Sequence, residues 1–375
     1  MYSYNFNTQT VTNETFISKG AIDVLGSNAT GIIQANDGEY YFLCINGGAN
    51  NFGTLVKYVP GVDTSTKLVD FTQQPNGVGM IAVGSKIYGS YDDIDSGKPL
   101  IWSYDVSSTV FEPNVVTGTD DNTIGYYISE SFIVDGNKII GSTLRGGDGS
   151  AGSLFEYNMG SGTGTAIQQH ASAEGRGIVG EMLLYDNSTL YTYTKAGGPI
   201  DPINASNKRV HGGIVKIDLV NNTAVFDPNI SSGYIANGVL YQTELRMAKA
   251  KNGKLFIPNR GLSTNNSRFT IYRVDSSTGA SNQIYDIEPD DSLISSALEI
   301  EDNKFVIAYL SKIYIYDDNT GTTQEINPNY DANTNGNIHY NLTKASNGLL
   351  YALTKASVYT DCNTKASILE IDPSN

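Results

Sequence analysis

The chain has 375 residues and a formal net charge of −15, with 24 Lys and Arg against 39 Asp and Glu. Binding to phosphates needs a basic surface, so this balance argues against a nucleic-acid partner. No apolar run approaches the ~18 residues of a membrane-spanning helix, and the two cysteines, Cys44 and Cys362, match no metal-ligand spacing.

MYSYN (1–5) opens the chain, and its pattern returns as LVKYV (55–59), IWSYD (101–105), LFEYN (154–158), IVKID (214–218), IYRVD (271–275), IYIYD (313–317) and ILEID (368–372). Seven intervals separate Asn5 from Asp372, a mean of about 52 residues. A period of that size is the mark of propellers and related repeat folds. Gly, Asn, Ser and Thr crowd the gaps between apolar runs, and no window holds a helical period. The chain reads as all-β.

Each interval parses into four strands, A to D. The recurring run is strand C, in which alternation is expected to bury Phe155 and Tyr157 and to expose Glu156. A turn headed by Asp or Asn follows, as in DVSSTV, NMGSGTG and DLVNNT, because such side chains bond their own backbone. Strand D comes next, for example KLVDFT (67–72), AVFDP (224–228) and QIYDIE (283–288). The A–B hairpin then surrounds a second turn, seen in NDGEYYF (36–42), VGSKIYG (83–89), VDGNKIIG (134–141), YDNSTLYTY (185–193), KNGKLFIP (251–258), EDNKFVIAY (301–309) and SNGLLYAL (346–353).

Four antiparallel strands in seven units predict a seven-bladed β-propeller, a single domain over 1–375 closed between its N- and C-terminal strands. The strand near 10–18 is expected to complete the last blade. One C-type run, either Met1–Asn7 or Ile368–Asp372, is then surplus.

GGANNFGTLVKYVPG (47–61) and GGDGSAGSLFEYN (146–158) resemble the Gly-rich GloVer-type tandem repeats of large secreted bacterial proteins, with HGGIVKID (211–218) as a shortened echo. Such repeats are similar in plan to kelch and WD propellers, although the Trp-Asp signature is absent and Trp102 is the single tryptophan. The resemblance implies an extracellular or cell-surface setting and no defined activity. Few charges and many Asn, Thr and Tyr fit that setting. Met1 leads directly into repeat sequence, so a leader is expected outside this chain or not at all, as in a virion component.

The A–B and C–D turns are short and alike. The B–C and D–A loops are long and individual, the place where binding sits on a rigid scaffold. Of the seven arginines, Arg145, Arg209, Arg260 and Arg268 are assigned to B–C loops, Arg176 to a D–A loop, Arg246 to the start of a strand A, and Arg273 to an exposed strand position. Arg145, Arg176, Arg209, Arg246 and Arg260 come from consecutive units and, with His170, His211 and Tyr234, are the candidate ligand-binding residues. Guanidinium groups match carboxylate or sulfate in pairs of hydrogen bonds. The same arginines also suit a plainer role, pinning loops through backbone carbonyls.

Glu130, Glu181 and Glu244 recur near strand A, a weak pointer to paired carboxylates that suits backbone capping as well. Asp92, Asp93 and Asp95 lack the distal Glu of a calcium loop, and the three histidines have no ligand spacing, so neither metal nor cofactor is expected. Three functions stay open. The first is a non-catalytic surface module recognising a glycan or a protein. The second is a polysaccharide lyase or hydrolase acting on an acidic glycan, and the third a structural or receptor-binding part of a virion or surface assembly.

Overall fold

The described C–D turns fall where a short polar side chain can hold the backbone. The structure, a computed structural model, describes residues 2–5, 10–13, 25–59, 62, 64–76, 79–91, 101–116, 124–128, 132–145, 152–169, 176–196, 213–231, 234–236, 239–241, 247–261, 268–275, 281–287, 294–309, 313–325, 337–338, 342–346, 348–355 and 367–371. In the C–D turns, Oδ1 of Asp105, Asn158 and Asp218 accepts two backbone N–H groups each, at 2.9–3.2 Å, and Oδ1 of Asp317 accepts that of Asn319. Four residues on, the chain enters the left-handed region at Thr109, Gly162, Asn222 and Gly321, with φ of 60, 72, 51 and 69°. The N–H groups of Thr109, Gly162 and Gly321 close back on the carbonyl of the heading residue at 2.8–2.9 Å.

The A–B turns take two forms. In the first, two residues join the strands, and the carbonyl of the second one is used by the neighbouring hairpin. Ser85, Asn137, Ser188 and Asn303 accept the N–H of Val106, Met159, Leu219 and Asp318, at 2.7–3.0 Å. In the second form a buried alanine, Ala35, Ala250 or Ala345, donates to the carbonyl four residues on, and a glycine at φ 83–86° closes the loop.

Among the described residues, five regular four-stranded antiparallel sheets result, not seven. They are Ser27–Gln34, Tyr40–Asn46, Thr54–Val59 and Thr64–Asp70; Ile81–Val83, Lys86–Ser90, Ile101–Asp105 and Phe111–Glu112; Arg176–Asp186, Thr189–Ala196, Gly213–Asp218 and Thr223–Ser231; Ala248–Lys249, Lys254–Gly261, Arg268–Asp275 and Ser281–Ile287; Ile294–Glu301, Lys304–Tyr309, Ile313–Asp317 and Thr322–Glu325. The architecture is an all-β propeller of four-stranded blades; a two-stranded hairpin stands apart from the blades, and two larger sheets depart from the plan. In one, Lys138–Arg145 pairs with two short pieces, Tyr126–Ile128 and Ile133–Asp135, before Ser153–Asn158 and Thr163–Gln169, making five strands. In the other, Leu350–Lys355 pairs with Asn337–Ile338 and Thr343–Lys344, and the N-terminal hairpin is added beyond Ser367–Ile371, making six.

That hairpin corrects the expected closure. Tyr2–Asn5 lies beside Ser367–Ile371 in parallel, with Tyr2 opposite Leu369 and Ser3 opposite Glu370. Among the described residues, Thr10–Asn13 pairs only with Tyr2–Asn5 and forms the outer edge of the sheet. The C-terminal run therefore keeps the third place in its sheet, and the N-terminal copy of the same pattern takes the fourth.

Alternation along strand C holds only in its second half. Ser153, Leu154 and Phe155 are all buried, as are Thr54, Leu55 and Val56, because the sheet is covered on both faces there. Glu156, expected to be free in solvent, is partly covered and holds Lys138 at 2.6 Å. Aromatic bulk on strand C is matched by glycine on strand B. A Cβ on Gly89 would stand 2.1 Å from the Trp102 ring, and one on Gly141 2.4 Å from that of Phe155.

The chain divides into two compact units, interleaved in sequence. In the first, Tyr40, Phe42, Val56 and Tyr58 pack with Tyr351, whose ring lies 4.4 Å from that of Tyr40. Thr343 Oγ1 donates to Ile32 O at 2.7 Å, and Ser346 N–H to Gln34 Oε1 at 3.0 Å, so the first and last sheets are bonded across more than 300 residues of sequence. Lys344 Nζ reaches Ile300 O at 2.5 Å. In the second unit, Ile140, Leu154, Met182, Leu190, Val215 and Ile217 form a core, and Lys249 Nζ donates to Tyr185 O as Lys344 does to Ile300.

Thr109 stands where two sister turns use glycine, and a β-branched residue is the worst choice for positive φ. Relief of that strain is worth roughly 1–2 kcal/mol, offset by the greater freedom of glycine in the unfolded chain, so Thr109→Gly is expected to gain about 0.5–1 kcal/mol in denaturant titrations. Gly162→Thr should move the midpoint the other way.

Candidate functional site

Antiparallel order puts the A–B and C–D turns of a sheet at one end and its B–C connection at the other. Among the described residues, the turn end satisfies its own charges. Burial opposes the charge on Asp37, but hydrogen bonds from Tyr41 Oη, the Glu39 N–H and Lys57 outweigh it and hold the carboxyl below the usual range. Ser107 and Ser108 hold Asp105 low through its side chain and backbone bonds. The backbone N–H of Ser188 does the same for Asp186, and that of Asn221 for Asp218. Lys86 pairs with Glu112 at 2.8 Å, a carboxylate that also accepts from Ser103 Oγ.

The B–C end is built differently, and the first sheet shows how. Gly47, Gly48 and Gly53 adopt φ of 82, 73 and 100°, and the Gly53 N–H closes the loop on Gly47 O at 2.9 Å. A side chain at Gly53 would lie 2.1 Å from Cys44 O, which is why the loop needs glycine there. Asp70, held by Lys67 at 2.6 Å, accepts the Ala49 N–H at 2.7 Å, and Asn50 Nδ2 donates to Phe71 O at 3.0 Å. Thr54 Oγ1 bonds Leu25 O, just before the first strand. The irregular five-stranded sheet repeats that last contact, with Thr143 Oγ1 donating to Ile124 O at 2.9 Å and Ser153 Oγ to the same carbonyl. Thr54 and Ser153, which open the strands after the two Gly-rich stretches, thus make the same hydroxyl-to-carbonyl bond.

The candidate ligand residues fall into two groups. Arg145, Arg176, Arg260 and Tyr234 have a described backbone; Arg209, Arg246, His170 and His211 lie outside the described residues. The loop assignments are corrected for four arginines. Arg145 is the last residue of Lys138–Arg145, opposite Tyr126. Arg176 opens Arg176–Asp186, opposite Ala196. Arg260 sits inside Lys254–Gly261, opposite Phe269. Arg268, also assigned to a loop, opens Arg268–Asp275 opposite Gly261. Strand pairing runs past the apolar stretches that marked the strands in the sequence. All four positions fall at the B–C ends of their sheets, and all belong to the second unit. Tyr234 lies in a small hairpin, Tyr234–Ala236 with Val239–Tyr241, inside what read as an open D–A loop, and faces Tyr241 in register. Of the glutamates, Glu181 lies within Arg176–Asp186, while Glu130 and Glu244 are outside the described residues.

One feature escaped the sequence reading. At the B–C end of the second sheet, Ser90 and Tyr91 are buried, and neither hydroxyl has a partner among the described residues. Burial pushes the Tyr91 phenol well above its ordinary range. Phe71 stands edge-on to Tyr91 and packs on Trp102, whose Nε1 donates to Ser90 O at 3.1 Å. No group of three or more His, Cys, Asp or Glu suited to a metal occurs among the described residues.

No family model and no curated protein sequence matches the chain. Solved structures do. The extracellular domain of BT4673 from B. thetaiotaomicron aligns at a TM-score of 0.59 and 13% identity, over 92% of this chain and 39% of that one. Oligogalacturonate lyase in complex with manganese aligns at 0.57 and 12%, over 92% of this chain and 89% of the lyase. Puromycin hydrolase aligns at 0.64 and 11%, over 96% and 54%. At such identities the likeness is one of fold, and it supports the propeller assignment. This chain spans about two fifths of the BT4673 structure. No helix among the described residues is long and apolar enough to cross a membrane.

Cys44 is a free thiol, fully buried, and burial pushes its pKa up to about 12. It should therefore stay unreactive toward aromatic disulfides at neutral pH until the chain unfolds; prompt labelling of the native protein at Cys44 would contradict that packing. The lowered carboxylates carry a second expectation. Asp37, Asp70 and Glu112 release protons more readily folded than unfolded, so their contribution is present above the ordinary carboxylate range and is lost as pH falls through their lowered values. These groups keep part of their surface in solvent, which makes the effect modest and salt-sensitive. Melting temperature should be flat from about pH 8 to 5 and fall below about pH 4, and Asp37→Asn should narrow the gap between the two plateaus.

Proposed function

We propose that the chain is a surface-exposed, extracellular binding module that takes an acidic glycan at the B–C ends of its blades. In this reading the two irregular sheets count as blades, which gives seven, and residues 1–375 form one domain closed through the N-terminal hairpin. The observation that carries the proposal is the placement of Arg145, Arg176 and Arg260. Three sheets of one unit, joined consecutively in sequence, each bring an arginine to the B–C end, in a protein with a net charge of −15. The carboxylates at the opposite end are spent on their own turns. Arg209, Arg246, His170, His211 and Tyr234 complete the proposed site. Likeness in fold to extracellular domains of B. thetaiotaomicron supports the setting, and the resemblance to GloVer-type repeats agrees with it. A protein partner presenting a carboxylate-rich surface would use the same groups.

A second reading has its own support. The fold match to oligogalacturonate lyase runs nearly end to end in both chains. An enzyme of that class removes a proton beside a uronate carboxylate, and arginine would neutralise that carboxylate while His or Tyr served as base.

Titration with oligogalacturonate tests both. Binding is expected to weaken with added salt, since charges of this kind are screened beyond ~8 Å at physiological strength. Arg176→Ala combined with Arg260→Ala should abolish it and leave the melting temperature nearly unchanged. Lost stability with unchanged binding would make these arginines loop anchors and move the site elsewhere. Growth of ultraviolet absorbance from an unsaturated uronate would favour the lyase; its absence with retained binding favours the module.

A further inference from the structure

The chain holds six Asn-Gly pairs, and two of them, Asn46–Gly47 and Asn252–Gly253, lie wholly within the described residues. Both asparagines are exposed, yet the structure holds them differently. Asn252 sits in an A–B turn whose Gly253 N–H donates to Ala250 O at 2.9 Å, while its own Oδ1 accepts the Lys254 N–H at 3.1 Å. Asp37–Gly38 repeats both bonds, from Gly38 N–H to Ala35 O at 3.0 Å and from Glu39 N–H to Asp37 Oδ1 at 3.2 Å. Asn46 is the last residue of Tyr40–Asn46, opposite Ser27, and leads into the Gly-rich B–C loop of the first sheet. Among the described residues, neither its side-chain amide nor the Gly47 N–H has a hydrogen-bond partner. Gly47 and Gly48 follow at φ 82 and 73°, so the chain leaves the strand at once, and no side chain shields the Gly47 nitrogen.

We infer that Asn46–Gly47 is a site of spontaneous deamidation in the folded protein, one that alters the first Gly-rich loop, whereas the Asn252–Gly253 turn protects its own pair. The Gly47 nitrogen, its proton lost to hydroxide, attacks Asn46 Cγ. The new N–C bond closes a cyclic imide and the Cγ–Nδ2 bond breaks. Nδ2 takes a proton from water and leaves as ammonia, which regenerates the hydroxide. A second water opens the ring at either carbonyl and leaves aspartate or isoaspartate at position 46. At Asn252 the bond to Ala250 O keeps the attacking nitrogen protonated, and the bond from Lys254 fixes the side-chain carbonyl. Conversion of Asn46 puts a carboxylate, ionised at neutral pH, at the B–C end of the first sheet. The isoaspartate form also lengthens the main chain just before Gly47, whose carbonyl accepts the Gly53 N–H at 2.9 Å and closes the loop. The inference is independent of the glycan reading, because the reaction needs no ligand and no arginine.

Incubation of the full chain in mildly alkaline buffer at physiological temperature, with peptide mapping by mass spectrometry at intervals, tests it. Asn46 is expected to convert at least about tenfold faster than Asn252, since two hydrogen bonds must open at Asn252 before its ring can close. In strong denaturant, where neither site is structured, the two rates should agree within a few-fold. Converted chains should exchange the Gly53 amide hydrogen faster than unconverted ones. Asn46→Gln, which needs a larger and more slowly formed ring, should stay intact and keep Gly53 protected through the same incubation. An Asn46 that stays intact in the folded chain, an Asn252 that keeps pace with it, a difference of the same size in denaturant, or a Gly53 amide indifferent to conversion would each overturn the inference.

Discussion

A single backbone hydrogen bond, made in four separate sheets, organises the turn end of this fold. The carbonyl of the second residue in a two-residue A–B turn accepts the N–H just after the Asp or Asn that heads the C–D turn. Each bond is worth only about 1 kcal/mol net, yet it couples two hairpins that strand pairing alone would leave free to splay. It also explains the fixed offset of the left-handed residue four positions past the head, since the turn must curl back before strand D can pair. Sheets with the alanine form of the A–B turn are held by other means. In two of them a lysine next to that alanine reaches a carbonyl on the first strand of the preceding sheet.

Much of this was legible in the sequence, because turn chemistry is local. Asp105, Asn158, Asp218 and Asp317 were readable as turn heads, since an Asx side chain meets its partners two and three residues away. What extends beyond such a window was not readable. Alternation could not reveal that Leu154 is as buried as Phe155, since burial on the second face depends on a neighbouring sheet. Nor could the apolar pattern show that strand pairing continues to Arg145 and Arg260, where the side chains are polar and only the backbone is engaged.

The N-terminal hairpin shows a different limit. MYSYN carries the pattern of a third strand but occupies the fourth place, parallel to its neighbour. A period of two is the same in either direction, so sequence could not tell a parallel from an antiparallel partner, nor the inner copy from the outer. For the proposed site, the residues that the structure places, Arg145, Arg176 and Arg260, were found through their rarity in an acidic chain, a compositional signal and not a motif.

Parallel pairing at the outer sheet has a mechanical consequence. Tension drawn from the N-terminal side of Tyr2–Asn5 and from the C-terminal side of Ser367–Ile371 pulls the two strands lengthwise past one another. Their hydrogen bonds are then loaded together in shear, whereas an antiparallel pair pulled from the same ends would be peeled open one bond at a time. The joint between Tyr2–Asn5 and Ser367–Ile371 is thus oriented so that force along the chain meets its bonds together.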